Sequence, residues 1–300
     1  MAIPFYSNLG FLREALASLV VQTDRDWTAV VVDDCSPTAG ASSVVEDLGD
    51  PRLRYVCNPV NLGLAGNFNR CLTEAGTDVV AIFHADDLLE TNYVATIRGI
   101  HRDAPDAAVV APMAAAIDSH GSPIDTAVDK LKRRMWPGGQ RHSLRGDAGL
   151  ARLMHAFFVY CPAMSYRPAL LPDQPFDPRW RQVMDLDLFA RVLLNGGTIE
   201  LDRTTVYRYR RHDGTVTSQN ARSFTRLDEE TRLAYEVAAL ARAQHWRRTA
   251  FAARLHWSQR LNGVVAVASS LRSGESMGRG DAIRDLLSVT PRPSRGASRH

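Results

Sequence analysis

The chain of 300 residues is short of several things, and each shortage excludes a class of protein. Lysine is nearly absent: Lys130 and Lys132 stand among 36 cationic residues, and the other 34 are arginine. A GC-rich genome is the plain reading of so global a preference. An excess of one charge is missing too. The 36 cations face 33 acids and leave +3, which excludes a strongly basic nucleic-acid binder and an acidic disordered chain. No nucleic-acid partner is expected. The longest apolar stretches, such as Ala107 to Ile117, reach about half of the ~20 residues that a membrane span requires. The first residues lack a basic region followed by an apolar run, so no secretory leader is expected. Cys35, Cys57, Cys71 and Cys161 form no CxxC pair, which excludes a disulfide scaffold and points to a reducing cytoplasm. No GxGxxG follows a strand, which argues against a dinucleotide dehydrogenase. Phe5-Tyr6-Ser7-Asn8 stand where a sugar-phosphate nucleotidyltransferase would want a glycine-rich basic loop.

What is present is a 45% apolar composition, enough for a sizeable core, and a regular alternation of elements. Ala2-Ile3-Pro4 ends a strand. Phe11, Leu12, Ala15, Leu16, Leu19 and Val20 recur at helical spacing. Trp27 to Val32 and Val79 to Phe83 read as buried strands, each followed by two acids: Asp33-Asp34 and Asp86-Asp87. Helices over Ser42–Leu48, Gly63–Ala75 and Thr91–Arg102 and strands at Leu53–Cys57 and Ala107–Ala111 complete a repeat of strand and helix. That order predicts an α/β fold, a mostly parallel Rossmann-like sheet flanked by helices. Asp118 to Gly146 reads as a long loop or flap, Phe157 to Ser165 as a strand, and Gln182 to Leu194 as a helix closed by Asn195-Gly196-Gly197. Thr198 to Tyr209 supplies one or two strands. A C-terminal helical region follows from Phe224 to about Leu271, with an interruption at Asn262-Gly263. The last residues, 273–300, read as a disordered tail.

In open parallel sheets ligands sit at the carboxyl ends of the strands, where both acid pairs fall. Carboxylates that converge on one crevice repel unless a cation or hydrogen-bond donors hold them. A divalent metal with a diphosphate resolves that conflict, since hard oxygen ligands suit Mg²⁺ or Mn²⁺. Ordinary turn chemistry explains either pair taken alone.

The ordered set Ile3-Pro4-Phe5-Tyr6-Ser7-Asn8, Val31-Val32-Asp33-Asp34-Cys35-Ser36, Asn61-Leu62-Gly63-Leu64-Ala65-Gly66-Asn67, His84-Ala85-Asp86-Asp87, Met184-Asp185-Leu186-Asp187 and Tyr209-Arg210-Arg211-His212 resembles the family 2 nucleotide-sugar glycosyltransferases over roughly residues 2–220. The resemblance implies a GT-A type catalytic domain over 1–222, with a nucleotide-binding half of about 1–112 and an acceptor-binding half of about 113–222. Residues 223–272 then form the helical appendage. It implies inverting transfer of one sugar from a nucleoside-diphosphate donor, UDP-sugar being favoured, to the hydroxyl of a glycan, a lipid-linked sugar or a natural product. The cofactor it implies is Mn²⁺ or Mg²⁺. Carried over position by position, Pro4, Tyr6, Asp33, Asp34, Asn61, Gly63, Asn67 and Asp86 belong to the nucleotide site. Asp86 and His212 are the metal candidates and Asp185 is the general base. Arg210, Arg211, Asp187 and Arg191 are candidates for the diphosphate or acceptor. His84 stands where the family's first acid is usual, Met184 replaces the acid before the base, and the first strand is short. Those departures motivate the alternative of a catalytically degenerate relative that binds nucleotide sugar or a partner.

The mild total charge is unevenly distributed. Residues 1–241 carry −5, residues 242–272 carry +6 and residues 273–300 carry +2. The basic stretch bears an amphipathic pattern with Trp246 and Trp257, read as a packing or homodimer face or as a peripheral contact with the inner face of a membrane.

Overall fold

The computed structural model describes residues 1–212 and 225–255. Ten strands are defined there: β1 (Ala2–Phe5), β2 (Ala29–Asp33), β3 (Leu53–Cys57), β4 (Val80–Ala81), β5 (Leu88–Leu89), β6 (Ala107–Ile117), β7 (Pro123–Ile124), β8 (Arg141–Leu144), β9 (Ser165–Tyr166) and β10 (Thr198–Arg210). The helices are α1 (Leu9–Val20), α2 (Ala41–Asp47), α3 (Gly63–Ala75), α4 (Tyr93–Asp103), α5 (Ala127–Met135), α6 (Gly146–His155), α7 (Met184–Leu194), α8 (Thr225–Ala243) and α9 (Arg247–Leu255).

β1, β2 and β3 form a parallel sheet in that order. All five residues of β2 are buried, as a strand covered by helices on both faces requires. A parallel bridge from Ala2 to Ile82, with the Phe83 amide donating to the Ala2 carbonyl at 2.8 Å, joins β4 to this sheet. The order then continues β4-β9-β6-β10-β5. In this second half β6 and β10 run parallel, while β5, β7, β8 and β9 pair antiparallel. The fold is therefore α/β with a parallel-rich sheet flanked by helices.

Several local expectations change. β6 does not end at Ala111 but runs through Pro112 to Ile117. Proline cannot donate to the ladder, and the register of β10 shifts opposite it, between Asp202 and Thr205. The segment 118–146 is not a loop: it holds β7, β8 and α5, whose Thr126 and Asp129 form a reciprocal capping box. Residues 157–165 are not a strand. Pro162 lies in a short 3₁₀ turn, Cys161–Ala163, and only Ser165–Tyr166 joins the sheet. The helical stretch after Phe224 breaks at Gln244–Trp246, where His245 adopts φ +60°. α9 returns to pack on α6, where Asp147 accepts from the Arg248 and Thr249 amides at 3.1 and 2.7 Å. The expected break at Asn262-Gly263, the tail 273–300 and the stripe beyond Leu255 lie outside the described residues. No helix among the described residues is long and apolar enough to cross a membrane.

Candidate active site

A cleft of about 660 Å³ opens along the carboxyl edge of β1, β2 and β4 and extends to the start of α7. Its first wall comes from the acid-tipped end of β2. Asp34 Oδ1 accepts from Asn58 Nδ2 at 2.9 Å and from the Leu62 amide at 2.8 Å. Asn58 Nδ2 also reaches Asn67 Oδ1 at 2.9 Å. These bonds tie the turn before α3 to β2 and put Asn61, Gly63 and Asn67 on the cleft wall beside Pro4 and Tyr6. Tyr6 lines the cleft and is 50% exposed. Asp33 is not brought to the cleft. Its carboxylate accepts from the Ser36 amide at 2.7 Å and the Tyr55 hydroxyl at 2.8 Å, which shapes the turn after β2.

The second wall is built by the other acid pair. His84, Asp86 and Asp87 each point a ligand atom to within 4.8 Å of the others. His212 Nε2 lies 3.0 Å from Asp86 Oδ2. Burial pushes the Asp86 carboxyl up, but the His212 bond and the two imidazoles outweigh it and hold it below its ordinary value. Burial lowers His84 in spite of the neighbouring Asp86. Asp87 is fully buried, receives the Tyr207 hydroxyl at 2.8 Å and the Arg210 amide at 2.7 Å, and is raised well above a normal carboxyl by burial and by Asp86. The donor atoms available to a metal here are thus one accessible carboxylate, the buried Asp87 carboxyl and imidazole nitrogens.

At the far end, α7 begins with Met184 and Asp185, both on the cleft wall. Burial raises the Asp185 carboxyl, and a hydrogen bond from the Cys161 thiol opposes that shift. Asp187 and Arg191, two positions and one turn further, face away from the cleft. They pair at 2.8 Å, and Arg191 donates to the Gln174 and Pro175 carbonyls. Arg210 and Arg211 are likewise not brought to the cleft. Arg210 is 1% exposed and donates to the carbonyls of Asp86 at 2.7 Å and Ser119 at 2.9 Å and to Glu14 at 2.6 Å. Arg211 donates to buried Asp129 at 2.6 Å.

Of the residues named from sequence, Pro4, Tyr6, Asp34, Asn61, Gly63, Asn67, Asp86, Asp185 and His212 therefore share one cleft. Sequence reasoning missed Phe68, Lys132, Tyr160 and Glu230, which also line it. Glu230 comes from α8, assigned above to an appendage. Its neighbour Glu229 accepts from the Arg181 and Gln182 amides at 3.0 and 2.8 Å, so α8 braces the loop that leads into α7 and Asp185. The adjacent acids Glu229-Glu230 were the available signal.

The family model described as Glycosyl transferase family 2 matches residues 1–161, more than half of the chain. The chain belongs to glycosyl transferase family 2. Family and fold together support a glycosyltransferase. Among solved structures, Staphylococcus aureus TarS 1-349 in complex with UDP superposes with a TM-score of 0.65 at 17% identity, covering 97% of this chain and 80% of that one. The same protein in complex with UDP-GlcNAc gives 0.64 at 16% identity with the same coverage. A Pyrobaculum calidifontis mannosyltransferase, PcManGT, in complex with GDP-Man and Mn²⁺, gives 0.59 at 15% identity over 94% of this chain and 77% of that one. The uncharacterized protein MT1568 of Mycobacterium tuberculosis is 32% identical over 89 residues, 30% of this chain. The match spans 28% of that curated relative's length.

Proposed function

We propose that this glycosyltransferase moves one sugar from a nucleoside diphosphate, with uridine the favoured base, to an acceptor hydroxyl with inversion, and that Asp185 is the general base. The observation that carries the reading is one cleft lined by Asp185 at the head of α7 and by the Asp86–His212 pair beside the nucleotide motifs. The solved neighbours crystallised with UDP, UDP-GlcNAc and GDP-Man support a nucleotide-sugar donor.

Tyr6 and Pro4 would border the base, with Asn61, Gly63 and Asn67 along the nucleotide. Asp86 and His212, with His84 beside them, would hold Mn²⁺ or Mg²⁺. When bound, such an ion supplies positive charge to a departing diphosphate. Arg210 acts at a distance: bonded to the Asp86 carbonyl and Ser119, it fixes the backbone that presents Asp86. An acceptor hydroxyl is a poor nucleophile until a base takes its proton. Asp185 meets that need because burial raises its carboxyl toward the working pH, in a pocket made drier by Met184 and Tyr166. One direct attack needs one base, unlike the two carboxylates of retaining glycosidases.

Donor turnover measured with Mn²⁺ tests this in the wild type, Asp185→Asn and Asp86→Ala. Metal-dependent turnover that both substitutions remove supports the reading. A folded wild type without turnover on any donor, yet stabilised by a nucleotide, supports instead the degenerate reading, which His84 in place of the usual first acid and the internally bonded Asp87 favour.

A further inference from the structure

The two lysines of the chain fall on one helix, α5. Its outward surface carries Ala127, Val128, Lys130, Leu131, Arg133 and Arg134, with Val128 56% and Leu131 52% exposed. At 100° per residue, Ala127, Leu131 and Val128 form one apolar strip, with Lys130 and Arg134 along one flank and Lys132 on the other. The one acid of the helix, Asp129, is 1% exposed and is answered internally by Arg211 at 2.6 Å and the Tyr160 hydroxyl at 3.1 Å. The helix therefore turns apolar and cationic residues to solvent, Arg133 being paired with Asp125 beside it at 2.7 Å, although its parent segment, residues 1–241, carries −5. Lysine stems lie flat on apolar ground while their ammonium groups reach for anions.

The helix is also held firmly enough to present that face. Its N-terminus is closed by the Thr126–Asp129 capping box, and Lys132 sits 4.4 Å over the Tyr160 ring. Lys132 and Tyr160 line the cleft, so the exposed face stands beside it.

We propose that α5 is an interfacial helix that docks the protein on an anionic lipid bilayer. The strip of Leu131 and Val128 enters the headgroup layer, and Lys130 and Arg134 meet acidic headgroups. The membrane contact then lies on α5 rather than on the expected 242–272 stretch, whose described part turns Ala250, Ala252 and Ala253 inward. The proposal does not depend on the reaction assigned above, because binding to vesicles needs no turnover.

Co-sedimentation of the full chain with phosphatidylcholine vesicles, with and without phosphatidylglycerol, tests it. The wild type is expected to bind the anionic vesicles and to release them as salt rises. Val128→Glu/Leu131→Glu and Lys130→Glu/Arg134→Glu should each lower partitioning roughly tenfold or more. Phe251→Glu, at a 61% exposed position on α9, should not. Thermal melts check folding, and if the apolar pair unfolds, the charge-reversal pair decides. Three results overturn the proposal: no wild-type binding at low salt, equal binding by a folded charge-reversal variant, or a wild-type dimer that the Glu substitutions dissociate.

Discussion

His212 Nε2 and Asp86 Oδ2 meet at 3.0 Å although 126 positions separate them in the chain. The contact exists because β10 crosses the sheet beside β6 and delivers its last residues to the loop that follows β4. Phe11, 5.0 Å from the His212 ring, backs it from α1. If this pair holds a divalent ion together with a diphosphate, each partner is needed for the ion and neither for the base pocket. Asp86→Ala and His212→Ala are therefore expected to weaken UDP binding tenfold or more in Mn²⁺, about 1.4 kcal/mol each. In EDTA the variants should match the wild type. Calorimetric titration reads both, and an unchanged Kd in Mn²⁺ would remove these residues from the metal site.

Asp185 yields a second expectation. Burial raises its folded carboxyl above the unfolded value, so stability is lost as pH rises from the ordinary carboxylate value through the raised one. Asp185→Asn should lower transfer by roughly 10²–10⁴-fold while raising the melting temperature at neutral pH. Activity of the wild type should fall on the acid side at a pH above the ordinary carboxylate range. Cys161→Ala, which removes the opposing thiol bond, should move that limb to higher pH, and Cys161→Ser should move it less. A limb that stays in place in Cys161→Ala would show that Asp185 is not the group titrating there.

Much of this was readable from the sequence, and the exceptions have physical causes. The β2 run Val30-Val31-Val32 and the acids behind it announce themselves locally, because a buried strand carries its own residue signature, whereas Asn61, Gly63 and Asn67 were legible by resemblance. Asp185 was legible by resemblance. The resemblance makes Arg210 and Arg211 candidates for the diphosphate or acceptor, but their partners, Glu14 and Asp129, are 196 and 82 positions away. No local pattern reports whether a cation points into a cleft or into the protein. α5 was missed because four cations and a nearby Pro-Gly-Gly read as loop, whereas its single acid is the capping residue. Glu230 was missed because α8 folds back across the domain from beyond it.

His101 gives an expectation for stability rather than chemistry. It is 3% exposed, bonds Ser165 Oγ at 2.9 Å, and burial with the nearby Arg167 lowers its imidazole to about 4. The unfolded chain, with an ordinary value of 6.5, takes up the proton first as pH falls. Stability is whole above 6.5 and declines through the window from 6.5 to about 4, by roughly 3 kcal/mol at most. His101→Gln keeps a group able to bond Ser165 but does not titrate. Urea midpoints of the two proteins across that window should converge toward acid pH, and parallel curves would show that His101 is not the source.

The last expectation concerns Arg210, whose guanidinium is 1% exposed yet carries a full charge. Its compensation is distributed: Glu14 at 2.6 Å, two carbonyls, and the Phe11 ring 4.6 Å beneath. Because Glu14 is 53% exposed, it can rehydrate when the arginine is lost, but the Asp86 and Ser119 carbonyls have less freedom. Arg210→Met keeps most of the volume and should cost about 1–3 kcal/mol, in the range for leaving buried acceptors unsatisfied. Glu14→Gln should cost far less, since it keeps an acceptor at the exposed end. The two differ in a second way. If Arg210 works by fixing the Asp86 backbone, Arg210→Lys, folded but with fewer donors, should raise the Mn²⁺ concentration needed for half-maximal transfer while leaving kcat at saturating Mn²⁺ near wild type. A loss of kcat with no change in Mn²⁺ requirement would instead put the arginine in contact with the reacting groups.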